Sequence, residues 1–163
     1  EANVKTLKLE GSMLAGYRTI TIAGINDPET IKHVDNIFSQ VKEFIARNME
    51  GKILPEDYSI ILRKYGTALS GSVPQGVPCC NMGIIVDVVA KTQDIANTIC
   101  ALARSRLLHT DYEGRKSTAG NLAFPYSPSD IVCGPVYTFG IYHLVEVDDL
   151  CETSSIKYIK VGE

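Results

Sequence analysis

The order in which the hydrophobic period alternates along this chain constrains its fold more than any single motif. Tyr17 to Ile25 repeats every second residue, with Ile20 and Ile22 on one face and Thr19 and Thr21 on the other, the pattern of a half-buried strand. A shorter alternation at Val4, Leu7 and Leu9 precedes it. Asp27 then supplies an N-cap and Pro28 a first helical residue. Ile31, Val34, Phe38, Val41 and Ile45 follow at helical spacing, joined by Ile37 and Phe44, until Gly51 stops the helix. Tyr58 to Tyr65 alternates again, and Met82 to Ala90 is so apolar that it reads as a central strand. Thr92 caps a second helix whose inner face holds Ile95, Ala96, Ile99, Cys100, Ala103 and Leu107. Val136 to Val147 reads as a fourth strand, and Ile156 to Val161 as a short edge strand. Strand, helix, strand, strand, helix, strand predicts an α+β fold, the ferredoxin-like split βαββαβ sandwich. Its sheet is mostly antiparallel, with two helices on one face covering the apolar stripes.

That topology has a consequence for the loops. Reversing direction at each element brings the turn at Gly24 to Asp27, the connection from Gly66 to Asn81 and the loop from Thr110 to Pro135 to one end of the sheet. The short connections near Gly51 to Asp57 and Ala90 to Thr92 fall at the other end. A rigid scaffold with elaborate loops at one end is the usual way to carry a binding site.

The bulk numbers exclude several classes. A chain of 163 residues is a single domain by default, with its core expected over about residues 16–149. A net charge of −3 with scattered lysines and arginines predicts no nucleic-acid partner. No apolar run is long enough to cross a bilayer, so no membrane partner is expected. Five cysteines without regular spacing fit a reducing, cytoplasmic setting, and the adjacent Cys79 and Cys80 lack metal-ligand spacing. No metal and no cofactor is expected. The chain opens on Glu1 rather than Met, which suggests a fragment, a processed chain or an engineered one, with a longer natural protein expected.

Candidate chemistry concentrates in the long loop. Residues 114–121, GRKSTAGN, have the composition of an anion cradle: Arg115, Lys116, Ser117, Thr118 and Asn121 offer donors among glycines. The bland alternative is a solvated surface loop. His109, near the end of the second helix, could pair with Asp111 or Asp130 as an acid–base couple, or simply cap free carbonyls. His33 reads as solvated, His143 as a core or cross-strand histidine, and Asp148 with Asp149 as a solvated strand end. Asp87, inside an apolar strand, must face solvent or be paired. The alternating Tyr137, Phe139 and Tyr142 fit core or interface packing.

The run LLHTDYEGRKSTAGNLAFPYSPSDIVCGPVYTFGIYHLVEVDD resembles the C-terminal part of AtuA-like proteins, named for acyclic terpene utilisation. GYRTITIAGINDPETIKHVD, YGTALSG and VVAKTQDIANTICALARSRLLH are similar to preceding stretches of that family, so the resemblance covers about Gly16 to Asp149. It implies a catabolic protein of branched acids and acyl-CoA compounds, of lyase or hydratase type, some relatives being described as methylaspartate ammonia-lyase. It also implies an N-terminal α/β portion or a neighbouring subunit that completes the site. The expected role is a share in a carboxylate- or acyl-CoA-binding site, without catalysis by the isolated domain and with a homo-oligomeric assembly. The alternative is a non-catalytic regulatory or oligomerisation module.

Overall fold

The computed structural model of the chain describes residues 5–66, 81–116, 122–149, 151, 155 and 157–162. Its elements run β1 (Thr6–Ile25), α1 (Pro28–Met49), β2 (Tyr58–Tyr65), β3 (Met82–Ala90), α2 (Gln93–His109) and β4 (Asp130–Glu146), with a 3-10 turn at Pro55–Asp57 before β2. The fold is α+β: a four-stranded antiparallel sheet in the order β2-β3-β1-β4, with two helices. Tyr17 to Ile25 of β1 pair with Ala90 to Met82 of β3, and Tyr58 to Tyr65 of β2 pair with Ala90 to Gly83.

Local chemistry sets the helix bounds. The Asp27 carboxylate accepts from the Thr30 amide, and Pro28 occupies the first turn, where its missing N–H costs nothing. After Met49 the Glu50 amide still bonds the Ala46 carbonyl, and Gly51 turns the chain away at φ +72°. Thr92 accepts from the Ile95 amide to open α2. The stripes of both helices meet Ile84, Val86 and Val88 of β3 in one core cluster, with Val41, Ile45 and Ile99 fully buried.

Several expectations need correction. β1 begins at Thr6 rather than Tyr17, and β4 begins at Asp130 rather than Val136. Both strands run on because they pair with each other, which does not depend on apolar alternation. Residues 157–161 carry no strand, and Ile156 lies outside the described residues. In β1 the threonines face the helices: Thr19 and Thr21 are buried, while Ile20 and Ile22 are half-buried on the opposite side. Burial of these hydroxyls is tolerated because each finds a partner. Thr19 donates to Asn97 Oδ1 at 2.5 Å and accepts from Gln93 at 2.7 Å. The Thr21 hydroxyl bonds Asp130 and lies 3.4 Å from the Cys100 sulfur.

The chain divides into two compact units. The larger, Ala15–Val136, holds both helices and the core cluster. The smaller joins the chain up to Leu14 with the chain from Tyr137 onward. Its described part includes a two-stranded ribbon in which the Val147 amide donates to the Lys5 carbonyl at 3.0 Å. Ile141 lies across from Gly11, 3.5 Å from where a Cβ would sit, and Lys8 stands 5.0 Å over the Tyr142 ring. His143 is exposed on this ribbon and is not a core residue.

Candidate functional site

The turn after β1 and the described ends of the two long connections meet at one end of the sheet. The Gly24 amide donates to the Ala123 carbonyl at 2.8 Å and the Ala123 amide returns to Gly24 at 2.9 Å, which pins the long loop to the end of β1. Leu122 packs onto the core beside this bridge. A cleft of about 590 Å³ opens there between residues 24–27, residues 81–83, and Leu122 with Ala123. Its lining combines the apolar residues Ile25, Met82 and Leu122 with the polar residues Asn26, Asp27 and Asn81. The loop tips around Gly71 and Gly120 lie outside the described residues. A second hollow of about 490 Å³ lies at the opposite end, where Met49, Ile53, Leu54 and Tyr58 surround the turn after α1.

Asp27 joins the cleft to a polar cluster at the start of α1. Its carboxylate accepts from the Thr30 amide at 2.9 Å and from the Thr30 hydroxyl at 2.5 Å. The Thr30 and Tyr112 hydroxyls bond each other at 2.5 Å, and the Tyr112 ring stacks on His33 at 5.7 Å between centroids. His33 Nε2 lies 4.0 Å from Glu29, so His33 is a half-buried member of this cluster rather than a solvated side chain. The sequence signal for it was present: His33 stands four residues after Glu29, one helical turn on. Hydrogen bonding from Thr30, above all from its side chain, holds the Asp27 carboxyl below its ordinary value of 3.8.

A lowered folded-state pKa means that Asp27 contributes stability above the unfolded value and loses it as pH falls through the folded one. Asp27→Ala is therefore expected to cost about 1 kcal/mol near neutral pH, the usual worth of an N-cap. The gap in thermal midpoint between the two proteins should close as pH falls below about 4. A gap that stays constant into acid would remove the charged cap from the account.

The other predicted site residues fall as follows. Arg115 Nη1 donates to the carbonyls of His109 at 3.0 Å and Thr110 at 3.3 Å, so it caps the end of α2. That is the capping role weighed for His109, whose own residue is exposed. Asp130 is held by Arg104 Nε at 2.8 Å and by Thr21, and among the described residues no hydrogen bond links it to the His109 side chain. Lys116 is exposed, while Ser117, Thr118 and Asn121 lie outside the described residues.

On the helix-free side of the sheet Asp87 is paired and nearly buried. Its carboxylate lies 3.0 Å from Arg18 Nε and 3.2 Å from Arg63 Nη2. Burial pushes the Cys100 thiol up to about 11, which makes it a poor nucleophile; Cys133 and Cys151 are exposed. Cys79 and Cys80 lie outside the described residues, and among those described no cluster of His, Cys, Asp or Glu could hold a metal ion. No described helix is long and apolar enough to cross a membrane. Comparison with family models, with curated proteins and with solved structures finds no match, so the reading of this chain rests on its own geometry.

Proposed function

We propose that the chain is an assembly domain. It is a ferredoxin-like scaffold that associates with a further copy of itself through its two-stranded ribbon. The observation that carries this reading is the exposure of the ribbon. Tyr137, Phe139, Ile141, Tyr142 and Leu144 are 56–74% exposed, and they fall on both faces of β4. Apolar surface of that extent is a mark of an interaction site. A two-stranded ribbon is also marginal in water and needs further strands or a packed partner.

An associated folded state gains stability with protein concentration, whereas a monomer does not. The thermal midpoint of the wild-type chain should therefore rise with concentration. The same series on a Phe139→Ser, Leu144→Ser double variant should be flat. A flat series for the wild type counts against the assembly reading.

The cleft supports a second role, because three connections converge on it and its lining mixes apolar and polar residues. In that role the domain forms one wall of a site for a small branched carboxylate or its CoA ester. The AtuA-like resemblance adds an α/β portion or a neighbouring subunit as the other wall, in a protein of lyase or hydratase type. Thermal-shift measurements with branched dicarboxylates and CoA esters test it: a ligand of the native state raises the midpoint. No rise across the panel removes this role and leaves the assembly reading in place.

A further inference from the structure

The ribbon has two open edges, and they differ. Among the described residues β1 pairs with β3 only from Tyr17 onward, and β4 is the outermost strand of the sheet order β2-β3-β1-β4. Unpaired edges are ready templates for another strand, and proteins guard them with lysines, prolines and other charges. The β1 stretch before Tyr17 carries charges, Lys8 and Glu10, which pair at 2.5 Å. The stretch of β4 from Tyr137 to Glu146, YTFGIYHLVE, contains no lysine, arginine or proline.

We infer that two copies of this chain pair β4 against β4 about a two-fold axis, antiparallel, with Ile141 opposite its own copy. This deepens the assembly reading and rests on it. The register is self-complementary: Gly140 meets Tyr142, Phe139 meets His143, and Thr138 meets Leu144. No like charges oppose each other, since Glu146 falls across from Val136. A two-fold antiparallel pair uses the same patch on both copies, so one strand suffices for a closed dimer. Each two-stranded ribbon becomes part of a four-stranded sheet, which passes the number of strands a free-standing sheet requires.

The test is a charge swap at the axis, read by sedimentation velocity. Ile141→Lys alone and Ile141→Glu alone should each convert the dimer to a monomer, because each sets like charges against each other. An equimolar mixture of the two variants should restore the dimer. Restoration is also the control for folding, since an unfolded variant cannot rebuild the interface. Amide exchange gives an independent readout: protection over residues 137–145 should rise with wild-type concentration. Single variants that remain dimeric, or a mixture that stays monomeric, would overturn the β4 pairing while leaving assembly through another surface standing. A wild-type chain that is monomeric at every concentration would remove the pairing and the assembly reading together.

Discussion

Gly16→Ala is expected to destabilise the chain by about 3–5 kcal/mol, the range in which a strained backbone and a hard clash act together. Gly16 lies one residue beyond the Tyr17–Ala90 pair, where β1 leaves its pairing with β3. Its φ is +147°, a conformation that side chains rarely adopt. A Cβ there would sit 2.6 Å from the Ala90 carbonyl oxygen and 3.1 Å from a Val89 methyl. The oxygen belongs to backbone held by two strand partners, so it cannot retreat cheaply. Gly51 is the internal control, because its φ is +72° but a Cβ would meet nothing within 4 Å. Gly51→Ala should cost only about 1 kcal/mol, the left-handed penalty alone. Chemical denaturation of both variants checks the difference, and equal losses would deny the close approach at Gly16.

A second large effect separates the two faces of β3. Ile84 is fully buried in the helix-facing core, and its neighbour Ile85 is half-buried on the other side. Ile84→Ala should cost about 2–5 kcal/mol, from lost transfer energy and the cavity left behind. Ile85→Ala should cost about 1 kcal/mol, since less of its surface leaves water on folding. The same denaturation midpoints decide it. Equal losses at the two sites would mean that the core is not one-sided.

Much of the scaffold was legible because the chain signals its own boundaries. Asp27 with Pro28, Gly51 and Thr92 mark helix ends by capping chemistry that acts over a few residues. Tyr58 to Tyr65 showed in its alternation and Met82 to Ala90 in an almost unbroken apolar run. The convergence of the long connections followed from strand direction alone, and residues 24–27, 81–83 and 122–123 now line one cleft.

What stayed hidden depends on contacts far apart in sequence. Alternation in β1 separates threonines from isoleucines but does not say which face meets the helices. That was decided by Gln93, Asn97 and Asp130, which satisfy Thr19 and Thr21 from distant elements. The stretch of β1 before Tyr17 shows only the short alternation of Leu7 and Leu9, and β4 beside it in the sheet carries the strand on. In the loop, composition grouped Arg115 with Lys116, yet geometry turns Arg115 back onto the end of α2. Asp130 likewise gave its carboxylate to Arg104, a partner that its sequence neighbourhood does not reveal.

The assembly claim stands or falls on the solution mass of the unmodified chain. Sedimentation velocity over a wide concentration range should find, at the upper end, a species of twice the chain mass of 17.8 kDa. A single species of 17.8 kDa throughout would contradict it.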